Sequence, residues 1–108
     1  MTNTFKNYLS KNITTAAATI LTVAASTQTI VIGGSVANTT SGAITVDVYI
    51  TSGGVDYYIV KNAPVPVGGT LVFGGGDAKI VLEATDALKI VSNTVTSADA
   101  VVNVLEIT

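Results

Sequence analysis

One chain of 108 residues and 10.9 kDa is the size of a single domain, long enough to bury roughly two-thirds of its extended-chain surface around one core. Apolar residues make up 48 % and charged residues 11 % of it, against about a quarter charged in an average soluble domain, which excludes intrinsic disorder and implies a sparsely charged surface. Without His, Cys, Trp or Arg there are no disulfides, no thiolate or imidazole metal sites, no Cys–His or Ser–His nucleophiles and no bidentate phosphate recognition. A net charge of −2 leaves no basic patch for a nucleic acid.

Residues 1–12 precede the first strong strand signal. Phe5 and Leu9 lie four apart with Tyr8 beside them and Lys6 and Lys11 close by, a segment too short to hold as an isolated helix. It is read as an N-terminal arm (1–12) ahead of a sandwich domain (13–108). The longest apolar run, Ala16 to Ala25, is broken by threonines and is about half the length needed to cross a bilayer, so no transmembrane helix and no membrane contact are expected. Lys6 and Lys11 before that run and the small residues Ala24-Ala25-Ser26 have the outline of a secretory signal, but the threonines and the β-like pattern argue against one.

From Thr19 onward Thr, Val and Ile dominate, and short apolar runs alternate with Gly, Asn, Ser and Asp clusters, the pattern of an all-β chain. Eight strands are expected, near 19–24, 28–37, 43–51, 55–62, 69–73, 78–83, 87–92 and 100–107. They should form a two-layer antiparallel β-sandwich, jelly-roll-like, because short strands joined by a proline-bearing crossing suit Greek-key closure better than a meander.

Ile44, Val46, Val48 and Ile50 alternate with Thr45, Asp47, Tyr49 and Thr51, and a two-residue Gly53-Gly54 turn sets Val48 opposite Ile59 and Ile50 opposite Tyr57 on the core face, with Tyr49 opposite Tyr58 and Thr51 opposite Asp56 on the other. Asn62 to Gly69 contains Pro64 and Pro66, so it should be a connection crossing an edge. Lys79 to Glu83 and Leu88 to Val91 read as a second hairpin bent at Ala84-Thr85-Asp86. The last run, Val101 to Ile107, is apolar on both faces, as in a strand covered on both sides by core or by a neighbouring subunit. The expected core is Ile44, Val46, Val48, Ile50, Ile59, Ile80, Leu82, Leu88, Ile90 and Leu105.

Chemistry-bearing patterns are few. Gly74-Gly75-Gly76-Asp77-Ala78-Lys79 lacks the Gly-Lys-Ser/Thr ending of a phosphate loop and precedes a strand, so a tight turn is expected. The carboxylates Asp47, Asp56, Asp77, Glu83, Asp86, Asp99 and Glu106 are dispersed and fit solvated turns better than an acid–base pair or a calcium loop. Asn12-Ile13-Thr14 and Asn38-Thr39-Thr40 match the glycosylation acceptor pattern, which a Thr-rich chain produces by chance. Five residues stand out as partner-binding candidates: Phe5, Tyr8 and Leu9 on the arm, and Tyr49 and Tyr58, which could stack a sugar or fill a sheet face. No catalytic residue, metal or cofactor is expected.

Thr4-Phe5-Lys6-Asn7, then Tyr58-Ile59-Val60-Lys61-Asn62-Ala63-Pro64-Val65-Pro66 with Gly68-Gly69, Gly75-Gly76-Asp77-Ala78-Lys79-Ile80-Val81-Leu82-Glu83 and the closing Val104-Leu105-Glu106-Ile107 resemble small virion structural proteins of tailed bacteriophages, especially those of marine and cyanobacterial hosts. The likeness runs nearly end to end. Where a Gly-Asp pair would be expected after Glu83, this chain has Thr85-Asp86. The resemblance implies a non-enzymatic virion component, first a capsid decoration or cement protein that binds and stabilises the particle surface, with a neck or tail component or a carbohydrate-binding adsorption module as alternatives. The implied partners are phage capsid or other virion proteins. The low charge and doubly apolar last strand add a homo-oligomer, with a trimer favoured.

Overall fold

The computed structural model describes residues 2–108, and of residues 76–78 the backbone alone. Its strands are β1 (Asn3–Ile13), β2 (Ala18–Thr22), β3 (Gln28–Asn38), β4 (Ile44–Ser52), β5 (Val55–Val65), β6 (Thr70–Leu82), β7 (Ala87–Ser92) and β8 (Ala98–Ile107). They form two four-stranded antiparallel sheets, a first of order β1-β8-β3-β6 and a second of order β2-β7-β4-β5. The molecule is a β-sandwich, as the Thr/Val/Ile content requires.

The strand order obeys a simple rule. β4 pairs with β5, β3 with β6, β2 with β7 and β1 with β8, so the chain behaves as one long ribbon folded back at the β4–β5 turn. Only that turn joins neighbours within a sheet; every other connection passes from one sheet to the other. Each sheet thereby presents one inner face, and the core lies between them: Val31 and Val36 of β3, Val46 and Val48 of β4, Leu88 and Ile90 of β7, and Val102 and Val104 of β8 are fully buried.

The β4–β5 hairpin keeps the expected register at its tip, Tyr49↔Tyr58, Ile50↔Tyr57 and Thr51↔Asp56 around Gly53 and Gly54, both at positive φ. Below the tip a bulge on β5 moves Val48 from Ile59 to Val60. Pro64 lies within β5, which extends to Val65, but β5 is the edge of its sheet, where a missing N–H breaks no ladder bond.

Four further expectations are corrected. Residues 1–12 supply most of β1, whose pairing with β8 runs from Asn3↔Ile107 to Ser10↔Ala100; the arm is an edge strand of this chain's own sheet. The runs 69–73 and 78–83 are one strand, β6. The extended backbone passes through the glycines with register jumps against β3, from Ser35↔Val72 to Gly34↔Gly74 and from Gly33↔Gly75 to Val31↔Ile80, while the side chain of Asp77, expected in a tight turn, lies outside the described residues. Lys79–Glu83 and Leu88–Val91 are not a hairpin, since β6 and β7 lie in different sheets; the bend is closed by the Asp86 amide on the Glu83 carbonyl and the Glu83 amide on the Asp86 carboxylate, each at 3.0 Å, with Thr85 at φ 71°. Finally, Leu105 faces outward and is only half-buried, because the inward row of β8 is Ala98, Ala100, Val102 and Val104. Of the other expected core residues, Ile44, Val46, Val48, Leu82, Leu88 and Ile90 are buried and Ile50, Ile59 and Ile80 are half-buried.

The jump at Gly34/Gly74 places Phe73 in the core, its ring lying on Gly34: a Cβ there would fall 2.5 Å from Cζ and 2.6 Å from Cε1 of the ring. A buried ring cannot step aside freely. Gly34→Ala is therefore expected to cost about 1–3 kcal/mol, and Phe73→Leu in the same chain to return part of it, read as a non-additive double-mutant cycle in urea melts. Deleting residues 2–11 removes one of the two ladder partners of β8 and is expected to unfold the domain or lower its Tm sharply by circular dichroism; an unchanged melt would show that β1 contributes nothing to the fold.

Candidate functional site

The two outer faces of the sandwich differ in chemistry. On the second sheet, β4, β5 and β7 turn Asp47, Asp56, Lys61 and Lys89 toward solvent among Thr45, Thr51 and the paired Tyr49 and Tyr58. On the first sheet the cross-strand register builds two apolar rows. One runs Phe5–Leu105–Ile30–Val81 and the other Leu9–Val101–Ser35–Val72, from β1 through β8 and β3 to β6. Between them lies Asn7–Asn103–Gly33–Gly75. Phe5, Leu9, Val72, Val81 and Val101 are between 42 and 75 % exposed. Across these rows β1, β8 and β3 carry no charged residue on the outer face; charge resumes at Lys11 and Asp99 beyond the second row and at Lys79 on the β6 edge. Exposed apolar rows of this kind are candidates for a contact surface.

Of the expected partner-binding residues, Phe5 and Leu9 belong to this face. Tyr8, between them in sequence, points the other way: it is half-buried against the core, its hydroxyl donates to Glu106 Oε2, and the Lys6 ammonium sits 5.1 Å from its ring centre. Burial first, and then the bond to Glu106, push the Tyr8 hydroxyl above its ordinary 10.0. Tyr49 and Tyr58 stand on the opposite sheet, 5.0 Å between ring centres and tilted by 38°. Tyr49 is only 8 % exposed, and burial raises its pKa above 10.0; the Tyr58 ring already engages Lys61 at 4.4 Å. The two rings fill the sheet face across the strands, and Tyr58 remains 47 % exposed. The structure thus divides the five candidates among three surroundings and sets beside Phe5 and Leu9 two valines the sequence did not single out, Val72 and Val81. Their signal is cross-strand, not local, and so is invisible along the chain.

The carboxylates serve the backbone. On β1, Lys11 and Asn12 form a bulge with Asn12 at φ 57°; Asp99 of β8 accepts the Asn12 N–H at 3.0 Å and pairs with Lys11 at 3.1 Å. On β5 the same device recurs: Asn62 is at φ 52°, Asp47 of β4 accepts its N–H at 2.7 Å and pairs with Lys61 at 3.6 Å. A Lys-Asn dipeptide facing an Asp on the next strand is a signal the sequence carried twice. Asp56 accepts the Thr51 hydroxyl and Asp86 the Glu83 amide. Among the described residues no three carboxylates converge. A depression of about 520 Å³ between Ser26–Gln28, Glu83–Ala84 and Ile107–Thr108 holds one acidic side chain, Glu83. Asn38, one of the two glycosylation matches, is buried and spends its amide on the carbonyls of Gly42, Val65 and Pro66, so it is no acceptor as folded.

Comparison of the chain with protein families, with curated proteins and with solved structures finds no match.

The Asn12 amide, and then Lys11, hold the Asp99 carboxyl below its ordinary 3.8. A carboxylate with a lower pKa folded than unfolded stabilises the fold above about pH 4 and loses that contribution as pH falls through its folded value. Asp99→Asn is expected to be less stable than the parent at pH 7, with the two melts converging in acid; a gap independent of pH would remove this role.

Proposed function

We propose that this chain is a non-enzymatic structural component of a bacteriophage virion, a capsid decoration or cement protein that binds the particle surface and stabilises it. The observation that carries the reading is the outer face of the first sheet, two exposed apolar rows on strands flanking a row of amides and glycines, with no charged side chain on β1, β8 or β3 across those rows. A protein that works by repeated contact needs such a face in every copy, and many copies on a symmetric particle offset modest affinity per contact. The ribbon-like strand order supports it by analogy: we read the fold as a jelly roll, an arrangement that recurs in viral capsid domains. The resemblance of the Tyr58–Pro66, Gly75–Glu83 and Val104–Ile107 segments to small phage virion proteins points the same way.

A homo-oligomer belongs to this reading. A second exposed apolar pair, Val55 and Tyr57, lies at the β4–β5 hairpin of the other sheet, so contact with the particle and contact between copies need not compete. A neck or tail component uses the same physics and differs only in position. For a carbohydrate-binding module the engaged rings of Tyr49 and Tyr58 are a poor start.

Imaging of the intact particle tests the proposal. Density for this chain at symmetry-related positions over the capsid surface is expected; density confined to the neck or tail would overturn the decoration role, and its absence from the particle would overturn the virion reading.

A further inference from the structure

We infer that the Lys11-Asn12 bulge is a phase-setting device: held by Asp99, it turns Phe5 and Leu9 outward, and without that hold β1 takes a continuous register in which both side chains turn into the sandwich. This property of β1 is independent of the proposed function and of what covers the face.

The bulge marks a change of phase. Ser10 lies opposite Ala100 and Ile13 opposite Ala98, so Lys11 and Asn12 together face Asp99. Side chains alternate along a strand, and one extra residue therefore reverses every position N-terminal to it. The inner row that results is mostly polar. Thr4, Lys6, Tyr8 and Ser10 lie opposite Glu106, Val104, Val102 and Ala100 on the inward side of β8, while Phe5 and Leu9 are left 75 and 68 % exposed.

The continuous register follows by counting. Ile13 is pinned: it is 1 % exposed, and its carbonyl accepts the Ser97 N–H at 2.9 Å. Drawing Lys11 and Asn12 straight therefore moves residues 2–10 one place along β8, a shift of ~3.3 Å. Leu9 then lies opposite Val102, Asn7 opposite Val104 and Phe5 opposite Glu106, all on the inward side, and Lys6, Tyr8 and Ser10 turn out. Burial of two large apolar side chains favours this register. Lys11 turns toward Ala100, but on an edge strand its stem can lie along apolar surface with the ammonium in water.

Named contacts hold the observed phase. Asn12 sits at φ 57°, which residues other than glycine adopt at a cost. Asp99 offsets that cost: one carboxylate oxygen accepts the Asn12 N–H at 3.0 Å and the other pairs with Lys11 at 3.1 Å. The bond from Tyr8 to Glu106 and the backbone pair between Thr2 and Thr108 also belong to this register, but they lie away from the bulge. Asp47, holding the Lys61-Asn62 bulge of β5, is the same device on the other sheet.

The chain has no cysteine, so a single introduced thiol reports the phase through its rate of reaction with a maleimide. Ser10→Cys probes an inward, half-buried position and Asn7→Cys an outward, exposed one. With Asp99→Ala added, the thiol at position 10 is expected to react about tenfold faster and that at position 7 about tenfold slower, the change that loss of one hydrogen bond to a charged group gives. Deleting Lys11 as well removes the extra residue, so the observed phase needs no bulge, and both rates are expected to return to their starting values. Asp47→Ala is expected to leave both rates unchanged. Faster reaction at both positions would mean a detached strand, and unchanged rates a register held without Asp99; either overturns the inference. So would an Asp99→Ala chain that loses its β-sheet circular dichroism, rates that the Lys11 deletion does not restore, or the same response to Asp47→Ala.

Discussion

The first sheet depends on β8. It is the strand hydrogen-bonded along both edges for its full length, to β1 and to β3, and its inward row of Ala98, Ala100, Val102 and Val104 is at most 1 % exposed. Both faces of β8 are apolar, so hydrophobicity alone would tolerate either phase. Asn103 breaks the tie: a slip of one residue would turn its amide into the core with nothing to bond, at a cost of about 1–3 kcal/mol, and would bring Leu105 where valine fits. With β8 fixed, β1 and β3 are fixed, and reciprocal bonds between the backbones of Thr2 and Thr108 at 3.0 and 2.9 Å continue the β1–β8 ladder past its ends.

The second sheet is held by local chemistry. The Gly53-Gly54 turn starts β5, and Asn38 at the end of β3 ties the following loop to Val65 and Pro66 at the end of β5 through three carbonyl bonds of 2.8–3.3 Å. Ser92 and Ser97 bond one another beneath the β7–β8 connection, and Ser97 also donates to the Thr94 carbonyl at 2.7 Å. The polar groups of Asn38, Ser92 and Ser97 at the loop ends are thus satisfied by neighbouring loops, whereas Thr29, on the inner row of β3, buries its hydroxyl without a hydrogen-bond partner.

What was legible in the sequence is what alternation and turn chemistry encode over a short span: the all-β class, the sandwich, the tip register of the β4–β5 hairpin and the inward sides of β4 and β7. β1 escaped because its alternation runs backwards. It shows Phe5 and Leu9 to the outside and turns Lys6, Tyr8 and Ser10 inward, so the pattern that marks a buried strand marks here an exposed face. β6 escaped because glycines punctuate a sequence more strongly than they bend this backbone, and the β6–β7 bend because a short turn between two apolar runs reads alike whether it closes a hairpin or crosses between sheets. Of the candidate face, Phe5 and Leu9 were visible as large apolar residues with no obvious core, and Val101 as part of a run apolar on both faces; Val72 and Val81 were not, since only the register sets them beside the others.

The sandwich guards its edges and leaves a face open, and that contrast constrains any assembly it makes. β1 carries the Lys11-Asn12 bulge and β5 the Lys61-Asn62 bulge and Pro64; β2 is five residues long; β6 is interrupted by its register jumps. Each of the four edges therefore holds a device that discourages another strand from adding. Edge addition repeats at the new edge it creates, whereas a face used in a contact is consumed by it, so blocking the first and exposing the second selects finite association over open-ended polymerisation. The Asp99 and Asp47 carboxylates that hold the two bulges work against edge addition without touching a partner: they keep the edge strands kinked, and the outer face of the first sheet is left open.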